Sequence, residues 1–141
     1  MQTFLPYCDF DKSAKCLDRQ RLGKQRSEVK ILLASLTSSS GWFNHPAAKM
    51  WKGYEAALVD YGFHICDEWI LRGYKDTVRY WLTDFMLAHG YDKFVAPPWL
   101  TGDDCPLCVS HRSNLLRKDP EWYVQFGWTE DDTVPYFWPV Q

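Results

Sequence analysis

Apolar side chains recur at helical spacing along most of the chain, and this pattern predicts an all-α fold. Between about Ser13 and Leu36, one stripe of a helical wheel collects Leu22, Val29, Leu32, Leu33 and Leu36. Another face of the same segment collects Arg21, Lys24 and Glu28, at spacings of three and four. The segment is therefore predicted to be one amphipathic helix, with Gly23 as its weakest position.

Three glycines punctuate the rest of the pattern in the manner of helix C-termini. Helices are predicted from about Pro46 to Tyr61, around Ile65 to Ile70, and from near Asp76 onward, ending at Gly62, Gly73 and Gly90 respectively. A short helix is predicted from Ser110 to Lys118, a loop at Thr37–Gly41, and no helix across Pro97-Pro98. No segment alternates convincingly as a strand does, so we expect one compact helical domain, 1–141.

Positive charge is concentrated near the start of the chain. The net charge is −2 and the pI about 6.0, so this is not a globally basic nucleic-acid binder. Seven cations lie from Lys12 to Lys30 against only Asp18 and Glu28, whereas Glu130, Asp131 and Asp132 make the tail acidic. An anion-binding surface is therefore expected near the N-terminus. The aromatic fraction of 17% suits either a core or a base-stacking surface.

No pattern in the sequence indicates secretion or membrane insertion. Residues 1–12 have no basic start followed by an apolar run, and no apolar stretch reaches the length of a membrane span. Five cysteines, an odd number, then suggest reduced thiols. We expect a monomeric, cytoplasmic protein that does not contact a membrane.

The face formed by Arg21, Lys24 and Glu28 is the first candidate for chemistry. Its cations can hold phosphates while the carboxylate serves as an acid or a base. The other interpretation is a solvated face with an intrahelical Lys24–Glu28 ion pair, worth a few tenths of a kcal/mol. Spacing alone favours the solvated face.

The segment from Ser110 to Tyr123 is the second candidate, because it combines hydrogen-bond donors, cations and an aromatic pair. This combination suits phosphate contacts beside a stacking platform. The residues concerned are His111, Arg112, Arg117, Lys118, Trp122 and Tyr123. The alternative is an exposed helix followed by aromatic residues that close the core, and the two interpretations are compatible.

The motif Cys105-Pro106-Leu107-Cys108, with His111 beyond it, is the third candidate. These residues supply most of a zinc site, which Cys8 or Cys16 would have to complete. A single Cys-x₂-Cys pair is also typical of two reduced cysteines in a loop, which is the interpretation we favour, so no metal is expected. His45 begins a predicted helix and is placed either to touch an anionic ligand or to act as a plain loop residue.

The order of several motifs resembles the pyrimidine-dimer DNA glycosylase family, the phage-type endonuclease V. The segments that carry the resemblance are Leu17–Leu22 followed by Arg26–Glu28, then His45, Lys52–Leu58, Ile65–Trp69 and Arg72–Thr77, and finally Asp119–Tyr123 leading to Phe126-Gly127. Each motif alone is unspecific, whereas the ordered set is typical of the family. The resemblance implies a compact helical domain with an extended N-terminal segment packed on it.

The resemblance also implies a reaction without a metal or cofactor. An N-terminal amine attacks the sugar C1′, the base leaves, a Schiff base forms, and β-elimination nicks the strand. Glu28 would assist proton transfer and stabilise the cationic sugar. An α-amino group suits this role, since its reference pKa is about 7.7–8.0 against about 10.4 for lysine.

The second residue departs from the family pattern. The family uses a threonine that is exposed when the initiator methionine is removed, whereas Gln2 stands here. The bulk of Gln2 should block that removal, and an exposed Gln2 would cyclise and lose its amine. We therefore predict that the nucleophile is the α-amino group of retained Met1.

The sequence thus predicts a DNA-repair glycosylase with AP-lyase activity, acting on duplex DNA with pyrimidine-dimer-like or modified bases through Met1 and Glu28. The predicted DNA contacts are Arg19, Arg21, Lys24, Arg26, His45, His111, Arg112, Arg117, Lys118, Trp122 and Tyr123. Trp122 and Tyr123 would sense a distorted base. The alternatives are a non-catalytic nucleic-acid-binding protein on the same scaffold and a small zinc-stabilised interaction module.

Overall fold

Helices dominate the structure, as the apolar spacing predicts. The computed structural model describes residues 1–38, 44–91 and 94–140. Within these ranges it contains no strand and is 62% helical. Its helices are α1 (Phe10–Cys16), α2 (Arg19–Thr37), α3 (Pro46–Trp51), α4 (Glu55–Leu71), α5 (Val78–His89), α6 (Pro106–Lys118) and α7 (Pro120–Tyr123). The predicted all-α class is therefore confirmed. Over the same ranges, no helix has the length and apolar character needed to cross a membrane.

The predicted first helix is two helices, α1 and α2, separated by Leu17 and Asp18. Asp18 is extended (φ −65°, ψ 158°) and caps α2, because its carboxylate accepts a hydrogen bond from the Arg21 N–H at 3.4 Å. The Asp18 N–H donates to the Tyr123 hydroxyl oxygen at 3.0 Å. The single helix predicted from Ser13 to Leu36 is wrong because a partner 105 positions away replaces the local helical hydrogen bond.

Gly62 lies inside α4 and does not end a helix. A Cβ atom at this position would lie 2.9 Å from the side chains of Val29 and Leu82. Glycine therefore permits the close approach of α4 to α2 and α5, and the boundary predicted at Gly62 is wrong. Gly73 and Gly90 do follow helix ends as predicted, with φ of +95° and +66°.

Of three other local predictions, one holds and two hold in part. Helix α6 begins at Pro106, before the predicted Ser110, and ends at Lys118 as predicted. The Pro97-Pro98 step is not helical, also as predicted. Thr37 ends α2 and Ser38 caps it, whereas residues 39–41 of the predicted loop lie outside the described residues.

The apolar core lies where α2, α4 and α5 pack together, with α1 against α4 and α3 against α2. Much of the aromatic excess fills this core. The Phe10 ring meets Tyr61 edge-on with centroids 5.5 Å apart, and Trp51 meets Trp99 at 5.0 Å. High aromatic content is therefore explained largely by packing.

The N-terminal segment, residues 2–6, is extended and buried among the helices. Helix side chains satisfy its backbone groups. The Phe4 N–H donates to Gln25 Oε1 at 3.1 Å, and the Leu5 N–H donates to His111 Nδ1 at 2.8 Å. The structure thus has the extended, packed N-terminal segment that the resemblance implies, and this segment carries the start of the chain to α2.

Candidate active site

A cleft of about 250 Å³ opens where the first residues of the chain pass the start of α2. Its walls come from the N-terminal segment, α2, the end of α6 and the extended tail. The lining residues are Met1, Gln2, Phe4, Gln20, Arg21, Lys24, Gln25, Glu28, Lys118 and Tyr136. Five of the predicted site residues therefore meet in one place: Met1, Arg21, Lys24, Glu28 and Lys118.

Glu28 supplies the carboxyl group of this cleft and is only 7% exposed. Its Oε2 accepts hydrogen bonds from the Gln2 N–H at 3.3 Å and from Gln25 Nε2 at 3.0 Å, and its Oε1 lies 3.9 Å from Lys24 Nζ. Burial raises the pKa of Glu28, and these donors and nearby cations only partly offset that effect. A larger fraction of Glu28 is therefore protonated near neutral pH than of an exposed glutamate.

The N-terminal ammonium group of Met1 lies near both Glu28 and His45. Its positive charge acts to lower the pKa of each of these side chains. Met1 itself is partly buried and lines the cleft. The structure therefore brings the predicted amine and the predicted carboxyl group to the same cleft.

His45 caps α3 beside the N-terminal amine. Its Nδ1 accepts a hydrogen bond from the Ala47 N–H at 3.0 Å, and its ring meets Trp138 edge-on at 5.9 Å. Burial, followed by the charge of the amine, lowers the pKa of His45 below its ordinary 6.5, so the ring is neutral at neutral pH. The sequence left two roles open for His45, contact with an anionic ligand or a plain loop residue, and in the structure its ring accepts the N–H of Ala47.

Three cations line the cleft, Arg21, Lys24 and Lys118, and a fourth, Arg117, lies close enough to Lys118 to affect its pKa. We call these four residues the cationic rim. Burial lowers the pKa of Lys118, and the charges of Arg21, Arg117 and Lys24 lower it further. Arg21 is held by Asp18, with its Nη1 3.3 Å from the carboxylate, while Lys24 is exposed. Cations crowded closely enough to repel one another form a field that favours phosphate groups.

Two further depressions continue from the cleft, the first sharing residues with the cleft and the second sharing one residue with the first. The first, of about 550 Å³, shares Gln20 and Lys24 with the cleft and is lined also by Arg19, Gly23, Arg26 and Trp69. The second, of about 450 Å³, shares Arg19 with the first, and its other lining residues are Lys15, Glu68, Arg72, Tyr74, Trp122, Gln125 and Phe126. We call the cleft and these two depressions together the basic track.

The residues of the basic track that are predicted to contact DNA differ in their exposure and in whether another side chain already binds them. Arg26 donates to Asp76 at 2.7 Å and its charge is matched there. Arg19 is exposed, with its guanidinium 5.2 Å from the centre of the Tyr74 ring. Trp122 is 36% exposed. Arg19 and Trp122 are therefore more accessible to a ligand than Arg26.

His111 and Tyr123, both predicted to contact DNA, are fully buried. His111 accepts the Leu5 N–H on Nδ1, and burial lowers its pKa to about 3. The Tyr123 hydroxyl donates to the Asp18 carboxylate, and its ring stacks on Trp128. The prediction that these residues touch DNA is corrected, because neither side chain has a surface to offer.

Arg112 is also buried, at 5% exposed, and its guanidinium is fully used inside the protein. It forms a forked pair with Glu130 at 2.9 and 3.1 Å and donates to the carbonyls of Pro6 and Asp103, each at 2.7 Å. Its predicted role as a DNA contact is therefore corrected too. Arg112 ties the N-terminal segment to α6 and to the tail.

The Cys-x₂-Cys motif lies at the start of α6, where Cys105 is the N-cap and both Cys105 and Cys108 are buried. Burial raises the pKa of the Cys108 thiol far above its ordinary value. His111 uses Nδ1 for the Leu5 N–H. Across the described ranges, no three His, Cys, Asp or Glu side chains converge as a metal-binding group, so the zinc-stabilised alternative lacks a ligand set there.

Sequence reasoning missed several residues of the cleft, notably Gln25 and Tyr136. Gln25 lies three positions before Glu28 on α2, a spacing that places both on one face and is a usable signal. Tyr136 reaches the cleft through the extended tail, and burial raises its pKa. No local pattern in the sequence places a tail residue there.

Comparison with known proteins identifies the family. No significant match was found among curated proteins or among solved structures. The family model described as pyrimidine dimer DNA glycosylase matches residues 1–81, which is more than half of the chain. The matched range includes Met1, Glu28 and His45, together with helices α1 to α4. This chain therefore belongs to the pyrimidine dimer DNA glycosylase family.

Proposed function

We propose that the protein is a DNA glycosylase with AP-lyase activity, in which the α-amino group of Met1 is the nucleophile and Glu28 is the acid and base. One observation carries the proposal. The buried N-terminal segment delivers the amine of the chain to a buried carboxyl group in a cleft surrounded by cations. Amine, carboxyl and phosphate-binding charge are the three features that the reaction requires.

In the proposed first step, the unprotonated Met1 amine attacks C1′ of the damaged nucleotide. The bond from C1′ to the base nitrogen breaks, and the base leaves with a proton from Glu28. The nitrogen then passes one proton to O4′ as the C1′–O4′ bond breaks, and the protonated Schiff base that remains joins the protein to C1′. The raised pKa of Glu28 suits proton donation near neutral pH, and general acid catalysis of this kind contributes about 10²–10⁴-fold.

In the proposed second step, the Schiff base acidifies the sugar C2′ position. The Glu28 carboxylate, now ionised, is the group in the cleft that can accept the C2′ proton. The electron pair left at C2′ expels the 3′ phosphate, so the C3′–O bond breaks and the strand is nicked. Water then hydrolyses the Schiff base and releases the Met1 amine for the next cycle.

Retention of Met1 is part of this proposal. The Gln2 N–H donates to Glu28 Oε2 at 3.3 Å, so residue 2 serves as an amide donor and the amine lies one residue earlier. Removal of Met1 would turn that nitrogen into an amine prone to cyclisation by the Gln2 side chain. Intact mass measurement of the active protein tests this point, because the two forms differ by one methionine.

The cationic rim and the basic track are proposed to hold the duplex. Arg21, Lys24, Arg117 and Lys118 would bind phosphates around the scissile nucleotide, with Arg19 and Trp122 contacting DNA at the second depression of the basic track. Phosphate contacts of this kind make affinity fall steeply with salt. Reaching C1′ requires a distorted or extruded nucleotide, which costs least where damage has weakened stacking.

Borohydride trapping on three duplexes tests the proposal: one ultraviolet-irradiated, one with an abasic site, and one undamaged. We expect a covalent adduct with the irradiated and abasic duplexes and none with undamaged DNA. An adduct with the abasic duplex alone would support the AP-lyase activity and indicate that the excised base is something other than a pyrimidine dimer. Absence of any adduct, with salt-dependent binding intact, would favour the non-catalytic DNA-binding alternative.

A further inference from the structure

Gln25 is a buried amide that links the N-terminal segment to Glu28. It is 1% exposed and lines the inner wall of the cleft. Its Nε2 donates to the Gln2 carbonyl at 2.8 Å and to Glu28 Oε2 at 3.0 Å. Its Oε1 accepts from the Phe4 N–H at 3.1 Å and lies 2.8 Å from the Tyr61 hydroxyl. One side chain therefore joins the N-terminal segment, α2 and α4.

The backbone fixes the orientation of this amide. The Gln2 carbonyl can only accept a hydrogen bond and the Phe4 N–H can only donate one, so the NH₂ group of Gln25 must face the former and its oxygen the latter. The fully buried Tyr61 hydroxyl packs on the oxygen side. The NH₂ group consequently has one possible direction, and that direction also meets Glu28.

The two oxygens of Glu28 are made unequal by this arrangement. Oε2 accepts two hydrogen bonds, from Gln25 and from the Gln2 N–H. Oε1 lies 3.9 Å from Lys24 Nζ, which is too long for a hydrogen bond. Oε2 is thus the anchored oxygen, and Oε1 is the oxygen able to exchange a proton with a substrate in the cleft.

We propose that Gln25 is a positioning residue that holds Glu28 and the N-terminal amine in register. Its amide forms hydrogen bonds with residues 2 and 4 of the N-terminal segment and with Oε2 of Glu28 at the same time. This inference rests on the proposed roles of Met1 and Glu28. Gln25 acts through them and does not itself touch the reacting atoms.

Three variants test the inference. Gln25→Met removes every hydrogen-bonding group at similar volume, and Tyr61→Phe removes only the hydroxyl behind the amide. Ser35→Ala is the matched control, because it deletes a buried hydroxyl on α2, the helix of Gln25, that donates to the Ile31 carbonyl outside the cleft. For each protein we would measure single-turnover base release from irradiated duplex, DNA affinity, thermal unfolding, and the pKa of Glu28 by carboxyl NMR.

We expect Gln25→Met to lose roughly 10²-fold in base release, the scale set by misplacing a catalytic group by about 1 Å. DNA affinity should stay within about twofold, since the cationic rim is untouched. The pKa of Glu28 should rise, because a donor to its carboxylate is lost. Tyr61→Phe should reduce the rate of base release by a smaller factor, again with little change in DNA affinity and a raised pKa of Glu28. Ser35→Ala should keep the wild-type rate of base release and the wild-type pKa of Glu28.

An unchanged rate and an unchanged pKa of Glu28 in Gln25→Met, or a rate loss in Ser35→Ala equal to that in Gln25→Met, would overturn the inference. If Gln25→Met does not fold, Tyr61→Phe decides by the same criteria. If the wild-type protein releases no base, the proposed function fails instead. The pKa comparison at Glu28 then still decides whether Gln25 holds that carboxyl group.

Discussion

Helix α2 and the middle of α6 both combine cations with other polar groups, but the structure uses the two segments in opposite ways. On α2, the cations beside Glu28 lie around an open cleft, and Lys24 stays exposed. On α6, His111 and Arg112 are buried and bonded to the chain itself. The difference teaches that a polar helix face is a site only where its hydrogen-bonding groups are left for a ligand.

The buried polar groups of α6 support the site on α2. His111 accepts the Leu5 N–H, and Arg112 donates to the Pro6 carbonyl, so α6 holds the middle of the N-terminal segment. On the other side, Gln25 holds residues 2 and 4 of the same segment. The start of the chain is therefore held from two sides, by α2 and by α6.

The largest effect is expected for Glu28→Gln. Loss of the carboxyl group should reduce base release by about 10²–10⁴-fold while DNA affinity is retained. Stability at pH 7 should be equal or higher, because burial raises the pKa of Glu28 and the ionised form is therefore the less stable one in the fold. Single-turnover kinetics and thermal unfolding measure both effects. Glu121→Gln, at an exposed position, is the control.

If Glu28→Gln unfolded the protein while Glu121→Gln did not, Glu28 would be a structural residue. The contrast between α2 and the middle of α6 would then disappear, since the buried polar groups of both would serve only the fold.

The next largest effect is expected for Arg112→Gln. This change leaves Glu130 and two backbone carbonyls without their donor, and breaking a buried pair costs about 3 kcal/mol of unfolding free energy. Urea unfolding measures the loss, with exposed Arg19→Gln as the control, for which stability should change little. Reduced DNA affinity in Arg112→Gln without reduced stability would contradict the structural role assigned to this side chain.

The third effect is a dependence of folding stability on pH that arises from His111. Burial lowers its pKa to about 3, whereas in the unfolded chain it stays near the ordinary 6.5. The unfolded state therefore binds an extra proton as the pH falls below 6.5, and folding stability from this group is lost progressively toward pH 3. NMR titration should find the His111 ring neutral at pH 5. Protonation at pH 6 or above would contradict its buried, proton-accepting role.

The smallest effects are expected at the cationic rim. Lys118→Ala and Lys24→Ala should each weaken binding of any duplex severalfold and reduce the slope of log affinity against log salt by about 1. Base release from bound DNA should be unaffected in Lys118→Ala. Filter binding across a salt series measures these slopes. An unchanged slope in both variants would place the duplex elsewhere on the protein.

The parts of the site that were predictable are those with local spacing. Arg21, Lys24 and Glu28 share a helix face because they are three and four residues apart, and the structure has that helix. The end of α5 before Gly90 was also predictable from a local signal, since the positive φ of that position favours glycine. Helical periodicity therefore sufficed for the fold class and for three of the ten residues that line the cleft.

The parts that failed depend on long-range partners. His111 is buried because of a bond to Leu5, 106 positions away, and Asp18 breaks the first helix because of Tyr123, 105 positions away. Nothing in the neighbouring residues encodes such pairs. Gly62 failed for a related reason, because glycine serves close helix packing as well as helix ends, and only the tertiary structure distinguishes the two uses.

The most direct test of the account is to identify the atom that joins the protein to DNA. Irradiated or abasic duplex would be trapped with borohydride, the protein digested, and the modified peptide sequenced by mass spectrometry. The account predicts a peptide that begins with Met1 and carries the sugar remnant on its α-amino nitrogen. A remnant on Lys24 or Lys118, or on a chain beginning at Gln2, would contradict the Met1 assignment.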